Sequence, residues 1–330
     1  MERTLPWHWY SAESVLRLEQ ERIFRRAWQY VGHLGQVAEP GSFFASRAGD
    51  VPVVVTRATD GELRAFLNVC RHRGSVVAEG DGRRESLQCP YHAWTYGLDG
   101  ALRSAPRSDE VVREGVSLLP LAVESWGPFV FVRPTAEGES LRDTLGELWD
   151  ALPVDGVAFH HRVEYAVEAN WKIACENFLE CYHCAVAHPG FSKVIDVSRD
   201  AYGLEEHRWH SSQYAPRRGE DAQGQFHFVW PNLKLNVYPG RPNLSIGPLW
   251  PDGPTRSRGF LDYFFAEGED EAWIADLLEL DDQVGHEDSA LVARVQQGVS
   301  SGLLAEGRLL GESERLIAHF DRLIVEALSD

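Results

Sequence analysis

Hydrophobic positions change period several times along this chain, and each change predicts an element. Between residues 11 and 28, Val15, Leu16, Leu18, Ile23, Phe24 and Trp28 mark one apolar side, with Arg and Glu filling the rest. That pattern predicts a single amphipathic helix, with Ser11 as N-cap and Glu13 in its first turn. From Gly41 the period becomes two. Short runs at 42–47, 51–57 and 62–69, separated by the turn signals Gly49-Asp50 and Asp60-Gly61, predict strands. Further strands are predicted at 94–98 and 129–132, with two polar loops before the first of them. Residues 135–153 read as a connection carrying a helix over 141–152. Strands resume at 161–168, 208–214, 226–230, 233–238, 243–247 and 259–265, interrupted by a helix from about 170 to 183. The tail predicts helices over 269–302 and 312–328. The expectation is an α+β chain in three parts: an N-terminal helical segment (1–36) packed on the last domain, a small all-β domain (37–135), and an antiparallel sheet with helices (136–330).

Composition narrows the partners. A net charge of −18 argues against nucleic acid and anionic membrane surfaces. No apolar run approaches the roughly 20 residues a membrane helix needs. Residues 1–10 lack the charged and apolar regions of a secretory signal, so a cytoplasmic location is expected. Five cysteines (Cys70, Cys89, Cys175, Cys181, Cys184) are an odd number, which speaks against a disulfide framework and for metal binding, reactivity or core packing.

Two constellations carry chemistry. In the all-β domain, Cys70-Arg71-His72 and Cys89-Pro90-Tyr91-His92 are separated by sixteen residues, each pair on a loop after a strand. Two thiolates and two imidazoles can hold zinc in a closed tetrahedron. They can equally hold a [2Fe–2S] cluster with histidines on one iron. In the C-terminal domain, residues 176–188 bring Glu176, Glu180, Cys181, His183, Cys184 and His188 together. On a helix from about 170, Glu176, Glu180 and His183 share a face. His188 precedes Pro189 and is pushed out of the helical region, so the helix is expected to end between the histidines and let His188 swing back. Two imidazoles and one carboxylate make a facial triad for iron(II). The stripe Leu277, Leu280, Val284, Leu291, Val295 and Val299 has Asp288 as its one carboxylate, which is costly to bury unless paired or metal-bound. Asp288 is therefore the expected third ligand, with Asp281 and Asp282 at the edge of the stripe and Glu287 off it. A zinc knuckle of Cys181, Cys184 and the histidines is the alternative; its geometry is awkward on a helix, so these thiols are expected to pack the helix and Cys175 the core. His227 can line a pocket, and His286 is a possible neighbour of Asp288.

The stretches Asn68-Val69-Cys70-Arg71-His72-Arg73-Gly74 and Cys89-Pro90-Tyr91-His92-Ala93-Trp94 resemble the cluster loops of Rieske non-haem iron oxygenases, the ring-hydroxylating oxygenase large-subunit family. Asn170-Trp171-Lys172, Glu176-Asn177-Phe178, Glu180 to His188-Pro189, and Glu287-Asp288 with Val295-Gln296-Gln297-Gly298 are similar to its catalytic motifs. The resemblance implies a Rieske domain followed by a helix-grip catalytic domain, an antiparallel sheet over a long C-terminal helix. It implies that Cys70, His72, Cys89 and His92 hold the cluster, that His183, His188 and Asp288 hold iron, and that Asn177 and Glu180 are catalytic. In this family the residue at the Glu180 position links the iron site to a cluster histidine of the neighbouring subunit, which here is His92.

The activity implied is that of a terminal oxygenase, using dioxygen and NAD(P)H electrons delivered by a flavin/iron–sulfur reductase or ferredoxin, in a homotrimer. Its substrate is expected to be a small quaternary or methylated amine, since the 180–188 and 287–298 motifs look closest to choline-, betaine- and carnitine-type monooxygenases. The alternative is an aromatic-ring dihydroxylating dioxygenase or aromatic O-demethylase subunit. Phe228, Trp230, Tyr238, Tyr263 and Phe265 are the expected pocket lining. Arg71, Arg73, Arg83 and Arg84 make the cluster loops basic, for an acidic redox partner or for local salt bridges.

Overall fold

In the computed structural model, which describes residues 2–107, 115–152 and 154–329, the helix predicted over 11–28 is cut short. A two-residue strand β1 (Glu2–Arg3) precedes α1 (Glu13–Glu19), which loosens into a π-turn over Gln20–Phe24. The N-cap is Ala12 with no side-chain cap, so Ser11 does not serve. Beyond Phe24 the chain leaves the helix and forms β2 (Gln29–His33), all of whose positions are buried. A strand covered on both faces has no alternation, so the period of two that would announce it is absent.

The chain divides into two units, Phe24–Thr144 and the paired segments Met1–Ile23 and Leu145–Asp330. The first boundary therefore falls well before the expected residue 36, because β2 belongs to the all-β unit's sheet. That sheet is antiparallel, in the order β2, β11 (Phe129–Arg133), β10 (Pro120–Trp126), β5 (Leu63–Leu67), β4 (Val51–Arg57), β3 (Ser42–Ala48), β6 (Asp81–Arg83). A smaller sheet joins β7 (Ser86–Gln88), β8 (Thr95–Gly97) and β9 (Leu102–Ser104). The core between them contains Phe43, Val54, Phe66, Leu87 and Tyr96 together with the thiols of Cys70 and Cys89. The helix expected over 141–152 is two pieces, α2 (Leu141–Leu145) and α3 (Leu148–Ala151), parted at Gly146 with φ 55°. Pro153, the end of that connection, lies outside the described residues.

The second unit is a seven-stranded antiparallel sheet, in the order β12 (Ala158–Val167), β18 (Ser257–Phe265), β17 (Asn243–Pro251), β16 (Leu233–Val237), β15 (Gln223–Val229), β14 (His210–Pro216), β13 (Gly203–Glu206). The long helix α7 (Glu271–Val299), capped by the Asp270 carboxylate accepting the Ala272 N–H at 2.9 Å, packs on it. Ile274 and Leu277 of α7 share a core with Phe226, Tyr238, Tyr263 and Phe265 of the sheet. This is the α+β helix-grip arrangement. β19 (Arg308–Leu309) pairs with β1, and α8 (Arg315–Ser329) seats Phe320 against Trp171, Phe228 and Trp230.

The N-terminal segment is fastened to α4 (Trp171–Phe178) by charge. Lys172, fully buried, pairs with Glu19 and donates to the Trp9 carbonyl at 3.1 Å, while Trp171 Nε1 donates to Glu19 at 2.8 Å. Breaking one partner of such a pair leaves an uncompensated buried charge and costs about 3–5 kcal/mol.

Candidate metal centres

The cluster loops are built alike. Cys70 N–H donates to the Ser75 carbonyl at 2.8 Å and Gly74 N–H to the Cys70 carbonyl at 3.0 Å; Cys89 N–H donates to Trp94 at 2.8 Å and Ala93 N–H to Cys89 at 3.0 Å. The fifth residue of each is left-handed, Gly74 at φ 75° and Ala93 at φ 56°. Asn68 ties down the first loop, donating to the Ala78 carbonyl at 2.8 Å and accepting from the N–H groups of Val77 and Ala78. Tyr96 OH lies 3.3 Å from Cys70 Sγ and accepts the Arg71 N–H at 3.0 Å.

The four expected ligands come together as two pairs, the thiols of Cys70 and Cys89 side by side and the imidazoles of His72 and His92 likewise. Both cysteines are buried and both histidines exposed, with the rings of His72 and His92 4.7 Å apart and His72 stacked on Trp94. Burial works to raise the Cys89 thiol, but the backbone N–H groups of Tyr91 and His92 and the neighbouring Cys70 bring it below its ordinary value. Two thiols facing the core and two imidazoles facing outward suit a two-iron cluster with chemically different ends. A single tetrahedral ion has no use for that asymmetry.

The second centre departs from the expected helix. α4 ends at Phe178, a turn carries Leu179 to Tyr182, and the short α5 (Cys184–Ala187) lies between the two histidines, with α6 (Phe191–Val194) following Pro189-Gly190. Glu180 is therefore not on a helix face. Its carboxylate accepts the backbone N–H of Tyr182 and, at 3.2 Å, that of His183, and it also binds the His183 ring at Nδ1. The same turn brings Cys181 and Cys184 together as a disulfide, with Cα atoms 4.9 Å apart, rather than leaving them as helix-packing thiols. His188 has φ −117° and ψ 71°, out of the helical region as its place before Pro189 requires.

His183, His188 and Asp288 each present one ligand atom within 4.8 Å of the others. His183 Nε2 is 3.1 Å from His188 Nε2, and Asp288 Oδ1 is 3.4 Å and 3.0 Å from the two. Each ring is held from behind: His183 Nδ1 by Glu180 and His188 Nδ1 by Glu287 at 2.7 Å. A carboxylate on Nδ1–H fixes the tautomer and leaves Nε2 for a metal. Burial opposes charge on His183, but hydrogen bonds to Asp288 and Glu180 outweigh it and lift the imidazole to about 9. Burial likewise opposes ionisation of Asp288, yet His183, His188 and the Asn177 side chain hold its carboxyl well below the usual range. Metal binding needs neutral imidazoles, so a cation at this point takes the place of a proton. Two nitrogens, one carboxylate oxygen and an adjoining cavity fit iron(II).

Several expectations change here. Glu287, read as off the face of α7, is the residue that holds His188. Asp281, read as edge and solvent-facing, is buried and accepts hydrogen bonds from Tyr238 at 2.5 Å and from Tyr263. The buried side of α7 runs through Ile274, Leu277, Asp281, Val292, Gln296 and Val299, while Val295 is 48% exposed. His286 is exposed and bonds back to Asp282, away from the triad. His227 bonds Ser212 at 2.8 Å and does not line the cavity. The cavity beside the triad, about 130 Å³, is walled by Phe178, Phe191, Phe226 and Tyr238 with Lys234, Asn236 and Asp281. Of the expected aromatic lining, Phe228 and Trp230 instead face α8, Phe265 packs on Trp273, and Tyr263 acts through Asp281.

Comparison with known proteins gives the same two parts. Residues 27–122 match the Rieske [2Fe–2S] domain, and residues 154–330 match the ring hydroxylating alpha subunit (catalytic domain). The chain is 32% identical to the carnitine monooxygenase oxygenase subunit of Acinetobacter pittii (strain PHEA-2), over 98% of this chain and 94% of that one. It is also 32% identical to the chloroplastic choline monooxygenase of Amaranthus tricolor, over 96% of this chain and 76% of that protein. The crystal structure of the quaternary ammonium Rieske monooxygenase CntA with inhibitor MMV12 superposes with a TM-score of 0.90 at 32% identity, covering 98% of this chain and 95% of that one. Naphthalene 1,2-dioxygenase from Rhodococcus sp., at 20% identity and a TM-score of 0.82, shares the fold. The chain belongs to the Rieske non-haem iron oxygenases, as a terminal oxygenase of the ring-hydroxylating alpha-subunit family whose cofactors are a [2Fe–2S] cluster and a mononuclear iron.

Proposed function

We propose that this oxygenase oxidises a small quaternary or methylated amine, with Cys70, His72, Cys89 and His92 holding the cluster and His183, His188 and Asp288 the iron. The observation that carries the substrate class is Asp281. A buried carboxyl braced by two phenols, whose hydrogen bonds oppose the upward push of burial on it, stands in the wall of an otherwise largely aromatic cavity at the triad, and rings beside an acidic group suit a methylated cation. The similarity to proteins named for choline and carnitine supports it. An aromatic hydrocarbon would leave Lys234 facing it without a hydrogen-bond partner, which disfavours the ring-dihydroxylating alternative.

When bound, the two metal groups supply single electrons and dioxygen activation. The chain's own residues set the frame. Glu180 and Glu287 hold the Nδ1 sides of the ligand histidines, Asn177 steadies Asp288, and the Phe178, Phe191 and Phe226 rings keep water low around the substrate. Glu180 is the proposed link from His183 to His92 of the partner subunit in a homotrimer, and inter-subunit electron transfer has been described for a quaternary ammonium Rieske monooxygenase of the same fold. Among the described residues Arg71, Arg73, Arg83 and Arg84 are exposed and form no ion pair, which favours the partner reading over local salt bridges. They offer a basic face to an acidic reductase or ferredoxin. No helix is long and apolar enough to cross a membrane, and a cytoplasmic location is proposed.

NADH-coupled oxygen uptake over a panel of methylated amines and aromatic acids, with product identification, tests the substrate class. Oxidised or demethylated amine products are expected; products from aromatic rings alone overturn the reading. Glu180→Gln is expected to retain cluster and iron while turnover falls on the order of a hundredfold. Normal turnover in that variant removes Glu180 from the link.

A further inference from the structure

A methylated cation satisfies only part of the cavity wall. Lys234 and Asn236 lie on β16 with Tyr238 just beyond, so these alternate positions leave the same face of the sheet and all three line the cavity. Lys234 is half-buried, and among the described residues it has no ion pair and no hydrogen bond. Its Nζ lies over the rings of Phe178, at 5.4 Å, and Tyr165, at 5.9 Å, and the carboxylates of Asp288 and Asp281 act on it at longer range without touching it. Asn236 is 6% exposed and spends one amide atom on Ser245 Oγ at 3.1 Å, leaving Oδ1 unpartnered. A serine hydroxyl both donates and accepts, so the amide can present either its oxygen or its nitrogen to the cavity.

Asp281 differs from both, because its two oxygens are taken by Tyr238 and Tyr263. The cavity thus has an acidic wall already braced from behind and a positive group that makes no hydrogen bond or ion pair with it. A lone ammonium in a water-poor site is costly to keep, and an apolar side chain would fill the same space. A purely cationic substrate would also be repelled by it.

We propose that Lys234, with Asn236 beside it, binds a carboxylate of the substrate, which is therefore a small zwitterion whose methylated nitrogen faces the Asp281 wall. The cationic half rests on the quaternary-amine reading above; the anionic half stands on Lys234 and Asn236 alone. Lys234 then selects among methylated amines, favouring those with an acid group over those with a hydroxyl.

The test uses the holoenzyme with both metals and three probes: trimethylammoniobutanoate, the matching trimethylammoniobutanol, and benzoate. Calorimetry is expected to show the butanoate bound at least about tenfold tighter than the alcohol. Lys234→Met is expected to bring that ratio to about one, with KM for the butanoate rising about tenfold and kcat changing far less, while Lys234→Arg keeps the preference. Cluster absorbance and iron content identify a folded variant, and Lys234→Gln replaces Met if Met does not retain them. An unchanged butanoate-to-alcohol ratio without the Lys234 charge overturns the proposal, as does a wild-type enzyme that prefers the alcohol; neither touches the quaternary-amine reading. Binding of benzoate that depends on Lys234, with neither amine bound, upholds the carboxylate anchor and overturns the amine reading instead. No binding of any carboxylate overturns the anchor.

Discussion

The two metal centres of this chain are made in opposite ways. The cluster site is local: its four proposed ligands lie within residues 70–92, on two loops closed by matching backbone hydrogen bonds and set on a sheet of their own unit. The proposed iron site is assembled at a distance, with His183 and His188 at the two ends of a short helix and Asp288 on α7, brought together by packing of that helix on the sheet. Its ligands also depend on carboxylates from two separate segments, Glu180 and Glu287. A local site tolerates loosening elsewhere in the fold. A distant one reports on the packing of its whole unit.

That contrast can be broken most directly by crossing two substitutions. Asp288→Ala is expected to abolish iron retention and turnover while the cluster's visible absorbance stays, and Cys89→Ala to remove the cluster while the iron site still loads. Metal analysis with absorbance spectroscopy checks both, and simultaneous loss of both metals in either variant would show the sites to be coupled in folding. Glu287→Gln is a finer probe. It keeps the shape but weakens the hold on His188 Nδ1, and iron affinity measured by chelator competition is expected to fall about 10–100-fold with the cluster unaffected.

The smallest effect concerns Glu176, which ends up beside the N-terminal segment and not at the metal. Burial pushes its carboxyl up to about 7, against the opposing hydrogen bond from Tyr10, at 2.7 Å, and the charge of Lys172. A carboxyl whose pKa is higher folded than unfolded keeps its proton longer in the native state, so stability is lost as pH rises through the interval up to about 7. Glu176→Gln is expected to remove that loss, on the order of 1 kcal/mol. Denaturation midpoints of the two proteins between mildly acidic and neutral pH would measure it, and parallel curves would exclude it.

What could be read in advance follows the same division. The cluster loops were legible because cysteine, histidine and glycine spacing within a short stretch determines a short-range structure. His188 was legible through Pro189, and Asp288 because a carboxylate on an apolar stripe needs a partner. Asp281 was not, since Leu280 and Val284 set the apparent phase of α7, and a 3.6-residue period accommodates a small rotation that only packing on the sheet decides. Glu287 is next in sequence to Asp288 and so seemed to face away; its longer side chain reaches round to the His188 loop. The break after Phe178 carried no glycine or proline to announce it. It is held by the Glu180 carboxylate capping the following N–H groups, a contact that spacing does not reveal. The β2 strand was hidden by burial on both faces.

The pairing of β1 with β19 bears on biosynthesis. The iron-binding unit draws on both ends of the chain, with the cluster unit's whole sequence inserted between them. A ribosome-bound chain therefore has every residue of the cluster unit available while Glu2, Arg3 and Glu19 still wait for partners, and domains generally fold as units in the order they emerge. Asp288 and the β19 strand come long after it. Cluster insertion can therefore precede synthesis of α7, whereas iron loading waits for it, so a translation product truncated before α7 is expected to carry the first cofactor and not the second.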